Sequence, residues 1–451
     1  MDSSAQYLDS LRAFRSSLYR CFERRADALF ELTDAILTAG SVPSPVHLSL
    51  AAVHRRGWGS LYAALSKGRI DEGGLRSLLS RHPLGDESLG DPPIYAVDVS
   101  VWSRCDAEAS PGRGYYYHPS RHSAGQPIVA GWAYQIVAEL GFERDSWVAP
   151  VDARRVRPTE DTDEAAAEQI RALMGQLPEP ETVPIFVFDA GYDPVKLQRA
   201  LEGCPARILV RLHSNRVFYA EPEFSFPRPV GRPRRHGEKF DLKDPSTWPE
   251  PSAEYCCDSD VYGSVRVRCW AGLHPKTRRI GERYGCERAP IVRGCVVLVE
   301  VGKLPRQTRK PKKLWLWWSG QSEADLDLLW RCYCRRFDLE HTIRFLKQTL
   351  GWSTPRVRHP EQADRWTWLV LVAYAQLRLA RAQVADVRLP WERPRRPRRL
   401  TPTRVLRSFA TLLAVAGTPA EPPKPCGRSP GRPKGSRSGP AKRYPALKTA
   451  A

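Results

Sequence analysis

The N-terminal part of the chain repeats apolar residues at helical spacing. Leu11, Phe14 and Leu18 recur three or four positions apart, and an apolar run over residues 29–37 follows them. Such spacing places apolar side chains on one face of an α-helix. Shorter helical patterns, separated by glycine turns, continue the segment. We therefore predict an N-terminal helical domain over residues 1–90.

After this domain the pattern changes to short apolar runs that are typical of buried strands. The run over 94–101 is apolar except for two residues, one of them Asp98, and the apolar part of the run over 183–193 ends at Asp189. Strands buried on both faces have such continuous apolar runs. The predicted elements are strands over 94–101, 131–140 and 146–156, a helix over 162–176, a strand over 183–193, a helix over 194–202 and a strand over 206–212. This order predicts a mixed α/β sheet within residues 91–213.

The second half of the chain begins with a change of pattern. Residues 214–320 hold short strand-like pieces between proline, glycine and charged loops, which predicts a β-rich insertion. Helical patterns resume in residues 321–390, which we assign to a second part of the core. They predict one long helix over 323–352 and another from Gln362 to about Val387.

The charge of the chain narrows the choice of partners. Lys and Arg number 70 against 50 Asp and Glu, which gives a net charge of +20. Residues 391–451 alone hold 15 Lys or Arg against Glu392 and Glu421. Their many prolines predict a basic, largely disordered tail with one helix over Leu400–Val415. A charge of this size is typical of proteins that bind a polyanion, and nucleic acid is the usual one.

Two further features limit the class of protein. The sequence shows no secretory signal, and no run approaches the roughly 20 apolar residues of a membrane span. The eleven cysteines show no paired Cys-x-x-Cys spacing, so we expect reduced thiols rather than a zinc cluster. We therefore expect a cytoplasmic protein that associates with the nucleoid and not with a membrane.

Two aspartates stand where an apolar strand would normally exclude them. A carboxylate inside such a strand is costly unless it is paired or binds a cation. Asp98 lies within one apolar run, and Asp189 ends another just before Gly191. Each alone would be satisfied by an arginine or a turn, but two on neighbouring strands would repel each other unless divalent cations compensate them. Asp193 and Asp152 are rival ligands.

A third carboxylate lies on the long predicted helix. At about 100° per residue, Tyr333, Arg336, Glu340 and Lys347 fall within an arc of roughly 60°. An apolar stripe beside this arc would hold the helix against the sheet. That stripe comprises Leu339, Ile343, Leu346 and Leu350. The alternative is a solvated charged face with an Arg–Glu pair four residues apart, which leaves the two aspartates unexplained.

The spacing Tyr333-x2-Arg336-x3-Glu340-x6-Lys347 resembles the Tyr–Arg–Glu–Lys signature of a large group of bacterial insertion-sequence transposases. The segments VDVS around Asp98 and DAGYD beginning at Asp189 resemble the two other catalytic segments of that group, in the same order. The resemblance spans about residues 90–380 and includes a β-rich insertion before the glutamate. It implies a ribonuclease H-like catalytic core with an Asp–Asp–Glu triad.

The resemblance implies a DDE transposase, an endonuclease that cuts and joins DNA in transposition. In such a site two Mg²⁺ ions, with Mn²⁺ as an alternative, activate the attacking oxygen and stabilise the leaving one. We assign Asp98 as the bridging ligand, with Asp189 and Glu340 each completing the shell of one ion. The expected partners are the transposon ends and the target, both double-stranded DNA, bound by a homodimer.

DNA contacts are expected outside the triad as well. The resemblance implies phosphate contacts by three residues of the signature. The segments GRPRRHG (231–237) and GRPKG (431–435) resemble the core of peptides that bind the minor groove of DNA. The expected DNA-binding residues are Tyr333, Arg336, Lys347, Arg232, Arg234, Arg432 and Lys434.

Several alternatives stay open at the level of the sequence. A structure-specific nuclease on the same core would share the carboxylates without needing the signature. A transposase-derived protein that binds DNA without cutting it would be favoured by the loss of a carboxylate, and none is lost. The N-terminal helices either bind DNA or serve packing and dimerisation. Trp315, Trp317 and Trp318 either stack on an unpaired base or belong to a strand core.

Overall fold

The chain divides into two compact units. Its computed structural model describes residues 3–42, 44–84, 92–118, 127–143, 145, 147–177, 182–222, 234–276, 290–305, 313–320, 325–425, 431, 433–437 and 439–449. The first unit combines Met1–Asp86, Asp98–Asp161 and Asp338–Ala451, and the second combines Glu87–Val97 and Thr162–Phe337. Each unit therefore joins segments that are distant in the sequence.

Most helices in the described ranges lie in the N-terminal and C-terminal parts of the chain, and α6 and α7 lie between strands. They are α1 (Ser3–Arg20), α2 (Ala26–Thr38), α3 (Pro45–Leu48), α4 (Trp58–Lys67), α5 (Glu72–Ser80), α6 (Thr162–Met174), α7 (Pro194–Ala200), α8 (Leu326–Arg335), α9 (Phe337–Gln348), α10 (Pro360–Ala380) and α11 (Pro402–Ala416). None of the described helices is long and apolar enough to span a membrane.

The strands begin with a short antiparallel pair, β1 and β2, and continue through the middle of the chain. They are β1 (Phe22–Arg24), β2 (Arg69–Ile70), β3 (Ile94–Ser103), β4 (Gly114–Tyr117), β5 (Ile128–Leu140), β6 (Val148–Val156), β7 (Ile185–Phe188), β8 (Arg207–Leu212), β9 (Val217–Tyr219), β10 (Lys239–Asp241), β11 (Ala253–Ser259), β12 (Gly263–Pro275), β13 (Gly294–Val301) and β14 (Leu314–Trp318).

Helix α10 forms the centre of the first unit. Most of its residues are buried, and its neighbours are α1, α2, α4, α5, α11 and β6. A helix that is apolar on nearly all sides is stable only when it is surrounded in this way. Trp366, Trp368, Leu369 and Leu371, which the sequence predicts as core, are buried. In the same unit, β5 pairs with β4 and β6.

The N-terminal helices belong to the core of the first unit. Helices α1, α2, α4 and α5 pack on one another or on α10, and α5 also packs on β6. The basic turn after α3 is engaged in ion pairs, because Arg55 and Arg56 both contact the buried carboxylate of Glu31. These helices are thus packed within the first unit, and their roles in DNA binding or dimerisation stay predictions.

Part of the basic C-terminal segment is folded. Helix α11 closely matches the helix predicted over Leu400–Val415, and it packs against α1, α2 and α10. Val405 and Phe409 on this helix are fully buried. The structure therefore has the helix predicted within residues 391–451, because apolar residues at helical spacing pack against other helices there. The disorder predicted for the rest of this segment stays a prediction.

A large mixed sheet forms the second unit. Its strand order is β10–β9–β12–β13–β14–β8–β7–β3, and β11 pairs with β12. β7 is parallel to β3 and to β8, whereas the other pairs are antiparallel. All four residues of β7 are buried, as expected for a central strand covered on both faces. The predicted mixed α/β class is therefore confirmed.

Candidate active site

Strand β3 carries the first candidate carboxylate. Its residues Ile94–Val97 are buried and pair in parallel with Ile185–Phe188 of β7. Asp98 follows Val97 directly and is half-buried. One of its carboxylate oxygens, Oδ1, accepts a hydrogen bond from the backbone N–H of Val99 at 3.0 Å. This hydrogen bond orients the carboxylate at the point where the strand becomes less buried.

The second candidate carboxylate follows β7 directly. Phe188, the last residue of that strand, is the register partner of Val97, and Asp189 is the next residue in the chain. The Oδ1 of Asp189 accepts a hydrogen bond from the N–H of Gly191 at 2.9 Å. A Cβ atom at Gly191 would lie 3.1 Å from this oxygen, so glycine gives the carboxylate room to make the bond. Both aspartates thus follow a register partner on neighbouring parallel strands.

The two rival aspartates have structural roles. Asp193 is the N-cap of α7, where its Oδ1 accepts hydrogen bonds from the N–H groups of Val195 and Lys196. Such caps satisfy backbone donors that have no partner within the helix. Asp152 on β6 is fully buried and forms an ion pair of 3.0 Å with Arg76. These contacts explain both residues without a metal ion.

Glu340 lies in the first turn of α9 and is half-buried. A carboxylate is favoured at this end of a helix, where unpaired N–H groups carry partial positive charge. Leu339, Ile343 and Leu346 on α9 are buried, and so is Leu350 beyond its end. The predicted apolar stripe is therefore confirmed, and it fixes the orientation of the helix that carries Glu340.

The single helix predicted over 323–352 is wrong. The structure has two helices, α8 and α9, which meet at Arg336. Tyr333 therefore lies on α8, whereas Glu340 and Lys347 lie on α9. The apolar positions keep their helical spacing across this junction, which is why the pattern alone predicts no interruption.

Lys347 links two elements of the first unit. Its Nζ donates a hydrogen bond to the carbonyl oxygen of Val101 on β3 at 3.1 Å. The same Nζ lies 5.5 Å from the ring centroid of Trp352. Helix α9 is thereby attached to the strand that carries Asp98. A role of Lys347 in holding these two elements together was not part of the sequence-based prediction.

Two residues of the signature are buried in the second unit. Tyr333 is 1% exposed and Arg336 is 4% exposed. The guanidinium of Arg336 lies 5.3 Å from the ring centroid of Phe337 and 5.9 Å from that of Tyr333. Burial raises the pKa of Tyr333, and the positive charges of Arg336 and Arg211 oppose this effect. A direct contact of Tyr333 or Arg336 with DNA phosphate stays a prediction.

Arg211 is a neighbour of Tyr333 that the sequence analysis did not single out. It lies on β8, where it is exposed between buried neighbours. Its positive charge opposes the rise in the pKa of Tyr333 that burial causes. The signal in the sequence is a single charged residue inside the apolar run ILVRL, the same kind of signal that identified Asp98.

The remaining sequence-predicted contacts divide into core and surface. Trp315, Trp317 and Trp318 on β14 are all buried, so they belong to the strand core. Arg234 and Lys434 are exposed, as general contacts with phosphate would require. Arg232 and Arg432 lie outside the described residues. The minor-groove role of the two short basic segments stays a prediction.

The donor chemistry of the three carboxylates suits Mg²⁺. Oxygen ligands are preferred by this ion, which usually takes one or two protein carboxylates and completes its octahedron with water and substrate phosphate. Within the described ranges, no group of three or more His, Cys, Asp and Glu residues is arranged to hold one metal ion. The assignment of Asp98, Asp189 and Glu340 as metal ligands therefore stays a prediction.

Comparisons with known proteins found a matching family model and similar solved structures. A family model described as DDE superfamily endonuclease matches residues 17–276, which is more than half of the chain. The matched segment includes Asp98 and Asp189 and ends before Glu340. The cryo-EM structure of a piggyBac transposase synaptic complex with hairpin DNA is similar, with 11% sequence identity, a TM-score of 0.41 and coverage of 88% of this chain and 74% of that chain. No curated protein matches the sequence.

Proposed function

Because the chain belongs to the DDE superfamily endonuclease family, we propose that it is a transposase, which cleaves and joins DNA at the ends of an insertion sequence. One observation carries the proposal. Asp98 and Asp189, both inside the family-matched segment, each follow a residue of the same register pair, Val97 and Phe188. Asp98 lies within β3 and Asp189 directly after β7, and both are half-buried. Like charges placed on neighbouring strands repel each other, and bound divalent cations would relieve that repulsion.

Glu340 completes the proposed catalytic set. Its assignment is supported by its half-buried place in the first turn of α9 and by the bond from Lys347 to Val101, which attaches α9 to β3. The spacing of Tyr333, Arg336, Glu340 and Lys347 is the further support for an insertion-sequence origin. In this proposal Lys347 acts as a positioning residue.

The three carboxylates would hold two Mg²⁺ ions, or Mn²⁺ in their place. Bound ions would supply Lewis-acid activation of the attacking oxygen and stabilisation of the leaving oxygen. The hydrogen bonds from Val99 to Asp98 and from Gly191 to Asp189 orient the carboxylates before an ion binds. Water would attack the phosphodiester at the transposon end, and the released 3′-hydroxyl would then attack a second strand.

The partner in this proposal is double-stranded DNA. A net charge of +20 supports it, because electrostatic attraction to phosphates supplies most non-specific DNA binding. Exposed Arg234 and Lys434 belong to basic segments that would contact the backbone. Cleavage of two ends together would require a homodimer on DNA. The place of action would be chromosomal DNA in the cytoplasm.

The test is cleavage and joining of a labelled transposon-end duplex in the presence of Mg²⁺. Wild-type protein should nick the duplex and transfer the strand. Glu340→Gln should lose both reactions by at least about 10³-fold, because a lost metal ligand removes several kcal/mol of transition-state stabilisation. Glu361→Gln, the same substitution at an exposed position in the first turn of α10, is the matched control and should keep full activity.

Two results would separate the competing functions, and a third would test the role of Glu340. Binding without Mg²⁺- or Mn²⁺-dependent chemistry in the wild type would indicate a transposase-derived protein that only binds DNA. Cleavage of branched DNA without strand transfer would indicate a structure-specific nuclease on the same core. Equal activity of wild type and Glu340→Gln would remove Glu340 from the catalytic set.

A further inference from the structure

A cleft within the first unit lies outside the candidate active site. Its volume is about 540 Å³, and it is lined by residues 104–110, by Arg356 and Arg358, and by Pro440, Ala441 and Arg443. The volume falls within the range of ligand-binding pockets, roughly 300–1,000 Å³. Three segments that are far apart in the sequence thus form one concave surface.

The C-terminal wall of the cleft is fixed by backbone hydrogen bonds. The N–H of Tyr444 donates to the carbonyl oxygen of Glu108 at 2.8 Å, and the N–H of Leu447 donates to that of Arg113 at 2.8 Å. Arg113 in turn donates from Nη2 to the carbonyl oxygen of Tyr444 at 2.8 Å. The segment that contains Arg443 is therefore held beside the loop after β3.

Arg104 places a buried positive charge in this cleft. Its side chain donates to the carbonyl oxygen of Val357 and lies over the ring of Trp132, and the residue is 7% exposed. Among the described residues, its Nε has no hydrogen-bond acceptor, and the nearest carboxylate oxygen, on Asp106, is 3.9 Å away. Burial lowers the pKa of Arg104, the charge of Asp106 opposes this, and the charges of Arg113 and Arg356 lower the pKa further.

The other charged groups of the cleft are more exposed. Arg356, Arg358 and Arg443 reach solvent, and the Nε of Arg358 donates to the carbonyl oxygen of Ala109 at 3.3 Å. Arg443 forms an exposed ion pair of 3.3 Å with Glu108. Four arginines thus face two carboxylates, those of Asp106 and Glu108. Like charges held this close favour a bound anion that compensates them.

We propose that this cleft binds a phosphate group of a DNA backbone, at a place separate from the carboxylates. Guanidinium groups suit this ligand because they donate two parallel hydrogen bonds to phosphate oxygens. The open side of the cleft would admit the sugar–phosphate chain on either side of the phosphate. The choice of DNA over free phosphate rests on the proposed function, whereas the anion site itself rests on the arginines.

The test compares two charge-matched variants of the full-length protein. Arg356→Gln/Arg358→Gln removes two arginines of the cleft, and Arg81→Gln/Arg388→Gln removes two exposed arginines outside it. Affinity for a labelled duplex is measured over a range of salt concentrations in EDTA, so that metal-dependent cleavage plays no part. Inorganic phosphate alone is titrated calorimetrically against the same proteins, and thermal unfolding checks that each is folded.

We expect the cleft variant to bind duplex DNA about tenfold more weakly than the control variant, with a slope of log affinity against log salt smaller by about one to two. An equal loss of DNA affinity in both variants, or no loss of affinity in either, would overturn the proposal. If the cleft variant no longer binds inorganic phosphate but binds DNA as well as the control variant, the cleft is a site for free phosphate. That result would overturn DNA as the source of the phosphate. If the double variant unfolds, Arg356→Gln alone is tested.

The proposed function is tested by a different readout. Failure of wild-type cleavage would count against the transposase proposal and would leave the DNA-binding result unchanged. Conversely, wild-type cleavage could be normal and abolished by Glu340→Gln while the cleft variant binds DNA as well as the control variant. That outcome would overturn only the proposal for the cleft.

Discussion

The Nζ of Lys347 donates a hydrogen bond to the carbonyl oxygen of Val101 at 3.1 Å. The two residues are 246 positions apart, and they connect the helix that bears Glu340 with the strand that bears Asp98. A hydrogen bond from a half-buried ammonium group to a backbone carbonyl contributes more to stability than one from an exposed group, because water competes less for it. The bond therefore stabilises the unit and positions one carboxylate relative to another.

Replacing Lys347 with methionine should affect both stability and catalysis. The change keeps most of the apolar stem and removes the donor, so we expect the free energy of unfolding to fall by about 1–2 kcal/mol. Cleavage should slow while duplex binding in EDTA stays close to that of the wild type. Thermal unfolding and single-turnover cleavage measure the two effects, with exposed Lys67→Met as the control. Weaker DNA binding with unchanged stability would instead assign Lys347 to a phosphate contact.

Much of the α/β core was predictable because its strands are uninterrupted apolar runs. The predicted strands over 94–101, 131–140 and 206–212 match β3, β5 and β8 closely. β4, with the sequence GYYY, was missed because it is only four residues long and only partly buried. The periodicity of the sequence also concealed the junction at Arg336.

The candidate site was predictable to a smaller extent. Asp98 and Asp189 were identified because each is a charged residue in an apolar run. The caps and ion pairs that explain Asp193 and Asp152 depend on partners such as Arg76, which no local pattern connects to them. In the basic C-terminal segment, the charge indicated disorder, although the spacing of apolar residues in α11 indicated a helix. Long-range contacts decided between these signals.

A buried ion pair joins three helices of the first unit. Arg15 on α1 donates from Nη1 and Nη2 to the two carboxylate oxygens of Asp34 on α2, at 2.8 and 2.9 Å. The Nη1 of Arg15 also donates to the Oε1 of Gln376 on α10 at 2.6 Å. Both charged side chains are at most 3% exposed. Removal of one partner would leave the other charge buried without compensation.

We therefore expect Arg15→Met to lower the free energy of unfolding by about 3–5 kcal/mol. Arg15→Met/Asp34→Leu should be more stable than the single variant, because no isolated charge remains. Chemical denaturation measures all three proteins. Arg12→Met, which breaks an exposed pair with Asp9, is the control and should cost about 1 kcal/mol or less. A double variant as unstable as Arg15→Met would contradict the role of uncompensated charge.

Two histidines in the second unit should make its stability depend on pH. The Nδ1 of His236 and the Nε2 of His274 share a hydrogen bond of 2.9 Å. His274 is fully buried, and this burial lowers its pKa to about 4, with further lowering by His236 and Arg293 and an opposing effect of Glu221. The pKa of His236 is lowered by burial as well. The folded protein thus binds fewer protons than the unfolded chain below about pH 6.5.

The contribution of the two neutral histidines to the free energy of unfolding is therefore fully present above about pH 6.5, and it is lost as the pH falls toward about 4. We expect the melting temperature of the wild type to fall more between about pH 7 and pH 5 than that of His274→Gln, in which the titrating ring is absent. His47→Gln, at an exposed position, is the control and should follow the wild type. Identical pH profiles for wild type and His274→Gln would exclude His274 as the cause.

Two truncations should separate the folded and the DNA-binding parts of the basic segment. Removal of residues 391–451 deletes α11, including buried Val405 and Phe409 and the carbonyl oxygen of Leu400 that accepts a hydrogen bond from Trp147 at 2.8 Å. Loss of one buried phenylalanine side chain alone costs about 3–5 kcal/mol. We therefore expect this truncation to unfold the first unit, as measured by thermal unfolding and protease resistance.

Removal of residues 426–451 spares α11 and should leave that unit folded. The deleted segment carries basic residues and no acidic ones, so duplex affinity and its salt dependence should both fall, because fewer counterions are released from DNA. The control is the full-length variant Lys434→Gln/Arg437→Gln, which keeps the wall of the cleft and should reduce the salt slope by about one to two. A stable protein after the longer truncation would contradict the structural role of α11. An unchanged slope after the shorter one would show that the segment does not contact phosphate.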